Sequence, residues 1–169
     1  IDVRVPTMEN SLMLVNGVNE SLAGLRGYML LGKEVFKEER RIAWDNKILP
    51  SFGKLKELSK HWTNAENVQR LHEIETLVPE FQRYQQEIEE LTKSDIKTAK
   101  EMLGTKAAPT AFAIKERAGK MLDFQRAIVA TEGNTLQEMT SRLQTLLFVL
   151  LFVGVAIAAV VAFVTGRGI

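Results

Sequence analysis

Residues 8–32 read MENSLMLVNGVNESLAGLRGYMLLG. Met8, Val15, Val18, Leu22, Leu25 and Met29 follow one another at a step of seven and then alternating steps of three and four. That is the spacing of an apolar seam on a helix that packs lengthwise against other helices. Gly32 stands where such a helix stops, because glycine accepts the left-handed conformation of a C-terminal cap. Arg26 lies at the edge of the seam, and a guanidinium there asks for a partner. The partner is either a carboxylate on a neighbouring helix, with Glu38, Glu101 and Glu116 as candidates, or a ligand.

The rest of the chain up to residue 142 repeats the helical pattern. A second stretch runs from about Lys33 to His61 with apolar positions at Val35, Ile42, Ile48, Leu55 and Leu58, and Pro50 is expected to kink or split it. Trp62, Thr63 and Asn64 form a turn signal, with Thr63 or Asn64 as N-cap and Glu66 in the first turn behind it. The third stretch carries Leu71, Ile74, Val78, Phe81, Ile88 and Leu91 and fades near Leu103 and Gly104, with a kink expected at Pro79. Residues 104–109 read as the next connection. The fourth helix starts near Thr110 and carries Ile114, Ala118, Met121, Phe124, Ile128, Met139 and Leu143, with Gly133 as a weak point inside it. No alternating pattern bounded by turn pairs suggests a strand. The expected fold is all-α, an antiparallel up-down-up-down four-helix bundle whose helices are roughly 45–60 Å long.

Averages conceal a second population of residues. No charged residue occurs between Leu143 and Gly166, and residues 146–164 read LLFVLLFVGVAIAAVVAFV. At a rise of about 1.5 Å per residue that run covers roughly 29 Å, the thickness of a bilayer's hydrocarbon core. The fourth helix is therefore expected to continue into a transmembrane helix over 143–166, with 167–169 opening a linker. Arg142 and Arg167 bracket the segment, so basic residues do not set its orientation. Gly154, Ala158 and Ala162 recur every four residues, a spacing that lets two membrane helices approach closely. The chain opens on Ile1 rather than methionine and closes on Gly-Arg-Gly-Ile, and both ends read as cuts in a longer protein.

Charge and motifs narrow the function. Lysine and arginine number 22 against 21 aspartates and glutamates, a balance that argues against a nucleic-acid partner. Cysteine is absent, which excludes disulfides, thiolate metal sites and cysteine nucleophiles. No phosphate loop, nucleophile elbow, dinucleotide fingerprint or zinc-protease helix motif occurs. His61 and His72 read as exposed polar residues, and the carboxylates fall on charged helix faces. The expectation is a protein with no catalytic residues, no metal and no cofactor.

Residues 19–32, NESLAGLRGYMLLG, followed by Phe36 and by Glu39–Trp44 and Ile48–Pro50, resemble a segment of bacterial extracytoplasmic sensor domains. They are similar to the four-helix-bundle and CHASE3-like sensors of methyl-accepting chemotaxis proteins. The resemblance implies a homodimer in the bacterial inner membrane, with residues 1–142 as a periplasmic sensor domain between two membrane helices. It also implies a HAMP-like linker and a signalling rod beyond residue 169, with kinase and adaptor proteins as cytoplasmic partners. A small molecule, or a periplasmic binding protein carrying one, would shift the fourth helix along its axis. In the amino-acid sensors of that family, ligands sit between helix-one arginines and the start of helix four. By that likeness Arg26, Asn19, Thr110 and Arg117 are the candidate ligand residues, with Pro109-Thr110 resembling the pair that opens the ligand-facing stretch. Phe112 and Ala113 follow without the flanking glutamines of the family motif, and Arg26 stands alone where those sensors carry several arginines. The same module in front of a histidine kinase or diguanylate cyclase, or a tail-anchored helical rod, are the competing expectations.

Overall fold

The structure, a computed structural model, describes the backbone of residues 3–166 and the side chains of 3–152 and 154 except 132, 134 and 136. Its elements are all helical: α1 (Arg4–Leu31), α2 (Glu34–Ala43), α3 (Leu49–Ser59), α4 (Ala65–Ser94), α5 (Ile96–Met102) and α6 (Ala108–Gly166). Two π-helical turns, Trp44–Ile48 and Leu103–Ala107, join α2 to α3 and α5 to α6. Among the described residues there is no strand. Residues 1–126 and 127–169 form two separate units.

Helix α1 ends at Gly32, which has φ 64° and whose N–H donates to the Tyr28 carbonyl at 2.8 Å. Only a residue without a Cβ takes that conformation freely. Close approach then seats the next arm. A Cβ at Gly17 would lie 2.8 Å from Ile48, one at Gly24 2.8 Å from the Phe36 carbonyl oxygen, and one at Gly27 2.5 Å from the Phe36 ring. Residue numbers fall along α2 and its π-turn as they rise along α1, and Lys47 closes the series by pairing with Glu20. The same opposed progression ties α2 and α3 to α4, through Lys37 with Glu89, Trp44 with Gln85 and Lys56 with Glu75.

Both π-turns stand before a proline. Proline lacks an N–H, and its ring clashes with the carbonyl four residues back. Pro50 and Pro109 each stand two residues after a π-turn, where the N–H of the residue before proline reaches back five residues: Leu49 to Trp44 and Ala108 to Leu103. Each proline is followed by a buried hydroxyl that donates to a lysine carbonyl, Ser51 to Lys47 and Thr110 to Lys106. The arm α2–α3 and the arm α5–α6 are thus built to one plan. By contrast α4 runs through Pro79 without ending.

Two expectations about boundaries need correction. The third stretch ends at Ser94 rather than near 103, because Asp95 caps a new helix. Its carboxylate accepts from the Thr98 N–H at 3.1 Å and from the Thr98 hydroxyl at 2.6 Å. Residues 104–109 are therefore not a loop. They lie in the π-turn and the first turn of α6. Val35 and Ile42 are exposed, as is Leu49, whereas Ile48, Leu55 and Leu58 are buried. The extra residue in the π-turn shifts the helical phase, so the apolar positions before it and after it belong to different faces.

The core of the first unit is a contiguous cluster that includes Leu14, Val18 and Leu25 of α1, Ile74, Phe81 and Ile88 of α4, and Ile114 and Met121 of α6. Trp44 enters it from the first π-turn, its ring 5.8 Å from that of Phe81. Among the described residues no helix is long and apolar enough to cross a membrane. Most of the second half of the 146–164 run lies outside the described side chains. In the second unit Leu146–Phe152, where described, are all exposed. Gly154 has open space around it, while Ala158 and Ala162 lie outside the described side chains.

Candidate functional site

The four residues singled out from the sequence fall in three different settings. Arg26 is exposed and makes no hydrogen bond or ion pair among the described residues. Its expected carboxylate partners are engaged elsewhere or open: Glu38 holds Arg41, Glu116 holds Lys120, and Glu101 lines a groove beside α4. Asn19, also exposed, accepts from the Lys115 ammonium at 2.9 Å, which ties α1 to α6. Thr110 is buried, with its hydroxyl donating to the Lys106 carbonyl at 2.9 Å. Arg117 faces α4, where its guanidinium pairs with Glu73 and donates to the Ala113 carbonyl at 3.1 Å. Arg26 and Asn19 thus share one face of α1, while Thr110 and Arg117 point elsewhere.

That face of α1 has a regular form. Val5, Glu9, Leu12, Asn16, Asn19, Ala23, Arg26 and Leu30 alternate steps of four and three, and every one of them is exposed. The packed face carries Ser11, Leu14, Val18, Ser21, Leu25 and Tyr28 instead. Helix α1 therefore has two seams of the same period, one packed in the core and one exposed, the exposed one touched by Lys115 of α6 at Asn19. The open seam mixes Leu12 and Leu30 with Asn16, Asn19 and Arg26. Phe112 of α6, 63 % exposed, adds a large apolar surface elsewhere on the first unit.

A groove of about 450 Å³ between α4 and α6 is lined by Glu66, Gln69, Arg70, Glu73, Glu116, Arg117 and Lys120. Its cations are paired with its carboxylates, Arg70 with Glu66 at 2.6 Å and Lys120 with Glu116 at 2.7 Å. The hydrogen bond from Arg117 holds the Glu73 carboxyl below its ordinary range, and that from Lys120 does the same for Glu116. Such a closed set of pairs offers a guest few free donors or acceptors.

A second constellation, absent from the sequence reading, lies where α1, the first π-turn and α4 meet. Gln85 is 1 % exposed, and its Oε1 accepts from the Ser21 hydroxyl at 2.8 Å and from the Trp44 indole N–H at 2.7 Å. The Gln85 Nε2 has no hydrogen-bond partner among the described residues. Beside it, Arg40 pairs with Glu89, and Lys37 reaches the same carboxylate at 3.4 Å while standing 4.5 Å from the centre of the Tyr28 ring. Burial pushes the Arg40 guanidinium below its usual range, and the Glu34 carboxylate raises the Lys37 ammonium. The sequence held a signal for this site. Gln85 occupies a core position in the row Leu71, Ile74, Val78, Phe81, Gln85, Ile88, and a glutamine inside an apolar seam must find partners.

Among the described residues no cluster of histidine, aspartate and glutamate is placed to hold a metal ion. Comparison of the chain with protein-family models, with curated proteins and with solved structures returns no match.

Proposed function

We propose that the chain is the sensor module of a bacterial transmembrane receptor of the chemotaxis type. In this reading α1, the α2–α3 arm, α4 and the α5–α6 arm are the four rods of an antiparallel up-down-up-down bundle. Residues 1–142 lie outside the inner membrane, 143–166 cross it, and 167–169 begin the linker to a cytoplasmic signalling domain. Two copies associate along the open seam of α1, where Asn16, Asn19 and Arg26 meet their counterparts between apolar Leu12 and Leu30. A polar residue at such a seam costs stability and fixes register. A small molecule or a periplasmic binding protein then biases the position of α6.

One observation carries the reading. Helix α6 is a single element from Ala108 to Gly166, unbroken by Gly133 and running into the charge-free segment. A displacement at its start is then passed along one hydrogen-bonded element, and small helix shifts of that kind bias two-state partners. The exposed apolar run of Leu146–Phe152 supports a lipid environment, since soluble surfaces rarely leave so large a contiguous patch bare.

Membrane topology tests it. The native chain has no cysteine, so a single Lys60→Cys variant and a variant with one cysteine appended after Ile169 can be expressed in cells and treated with a membrane-impermeant thiol reagent. The expected result is membrane fractionation of both, labelling of the Lys60→Cys protein in intact cells, and labelling of the appended cysteine only after lysis. Recovery in the soluble fraction, or labelling of both in intact cells, would overturn the proposal.

A further inference from the structure

We infer that Asn67 of α4 and Gln125 of α6 form a latch that stands open in this structure and closes when α6 shifts along its axis. Both side chains belong to the core of the first unit, Asn67 fully buried and Gln125 6 % exposed. Asn67 opens the buried row of α4 that continues through Leu71 and Ile74. Gln125 ends the buried row of α6 that runs through Ile114, Ala118 and Met121. It stands beside Arg126, the last residue of the first unit.

The two amides are complementary and unmatched. The Asn67 Nδ2 and the Gln125 Oε1 are buried, and neither has a hydrogen-bond partner among the described residues. Arg70 donates to the Asn67 Oδ1 at 2.7 Å, and a guanidinium only donates, so Nδ2 is fixed as the free end. One helix thus offers a donor and the other an acceptor. On α4, Glu66–Glu73 line a groove with Glu116–Lys120, and Arg83–Glu87 line another with Thr98–Lys106, so residue numbers fall on the α5–α6 arm as they rise on α4. Arg117 pairs with Glu73. Asn67 lies six residues back from Glu73, and Asp123 lies six on from Arg117, two short of Gln125. Two residues of helix amount to about 3 Å of rise, less than one turn.

Two tendencies oppose each other here. An unmatched buried donor or acceptor is costly, which favours closing the latch. The Arg117–Glu73 pair holds α6 where the latch is open, and the bond from Lys115 to Asn19 holds it against α1. A small helix shift between two such positions is a recognised switching motion. The latch gives the sensing reading a two-state element inside α6, and its signalling meaning rests on that reading.

Its test does not. Thermal melts of the whole chain in detergent micelles, followed by circular dichroism, are compared in two backgrounds. In the parent, Gln125→Met replaces the unmatched amide by an apolar group of similar length and should raise the melting temperature. Asn67→Leu and Gln125→Met should shift it additively there, because the two side chains do not interact. Glu73→Ala removes the tie that holds the latch open. In that background Gln125→Met should lower the melting temperature, and the two substitutions should cease to add, because either one alone breaks the closed bond. Should Glu73→Ala fail to fold, Arg117→Met removes the same tie from the other helix. A parent made less stable by Gln125→Met, the result if a water already joins the two amides, would overturn the open latch. Additive shifts in both backgrounds would overturn its closing. Thiol labelling for topology reads none of these shifts, so the two readings fail separately.

Discussion

At Gly24 the seating of α2 on α1 comes down to one missing methyl group. A Cβ there would stand 2.8 Å from the Phe36 carbonyl oxygen and 3.2 Å from the Arg40 nitrogen, both of them backbone atoms that move only if the helices separate. Alanine is favoured over glycine in a helix by about 1 kcal/mol, but overpacking a tight contact costs about 1–3 kcal/mol. Gly24→Ala should therefore lower the melting temperature. Gly53→Ala, on α3 with nothing within 4 Å of the new Cβ, should raise it. Arg26→Ala should leave it nearly unchanged, within the ~0.5 kcal/mol of an ordinary surface substitution, because Arg26 is exposed and makes no hydrogen bond or ion pair among the described residues. Thermal melts followed by circular dichroism check all three, and a Gly24→Ala protein as stable as the parent would contradict the close approach. Sequence alone shows these glycines only as weak points in a helix, because the Phe36 carbonyl that gives Gly24 its purpose lies on another element. Arg26 was legible as an oddity, but its exposure was not, since the seam that it borders faces away from the core.

Between elements, the apolar periodicity of α1, α4 and α6 was readable, and Leu25, Phe81 and Ile114 are buried as their spacing implies. What the periodicity could not show was a change of phase. The π-turn before Pro50 adds a residue to the turn, so Val35 and Ile42 leave the face that Ile48 and Leu55 share. Proline announced a disturbance without announcing its kind. The break at Asp95 was legible in principle, because an aspartate followed three residues later by Thr98 is a capping signal, but the apolar row through Leu91 and Leu103 masked it. The tie between α4 and α6 has a pH signature. Hydrogen bonding from Arg117 lowers the Glu73 carboxyl from its ordinary 4.5, so the folded chain binds that proton less readily than the unfolded chain. The tie is fully present above the unfolded value and is lost as pH falls through the folded one. Glu73→Gln should thus flatten the fall in melting temperature below about pH 4.5. Melts across that range check it, and parallel curves for variant and parent would show that the pair contributes nothing.

For the whole molecule, the sequence carried the all-helical architecture and the long final helix, because both depend on local spacing and on an uninterrupted run of residues. The shared plan of the α2–α3 and α5–α6 arms went unrecognised in the sequence, although Lys47-Ile48-Leu49-Pro50-Ser51 and Lys106-Ala107-Ala108-Pro109-Thr110 follow one pattern, because a proline marks a disturbance without showing that it takes the form of a π-turn. Nor did the sequence separate the two seams of α1. Met8 and Val15, assigned to the packed seam from their spacing, are only half buried, while the open seam from Val5 to Leu30 was not recognised as continuous. That open seam is where the account is most exposed to test. Single cysteines at Leu12, Asn16, Asn19 and Ala23, with Glu38→Cys and Lys54→Cys as exposed controls, can be oxidised in membranes of cells producing the chain. The account predicts disulfide-linked dimers at all four α1 positions and little at the two controls. Cross-linking spread evenly over all six, or confined to the controls, would contradict a receptor dimer paired along α1.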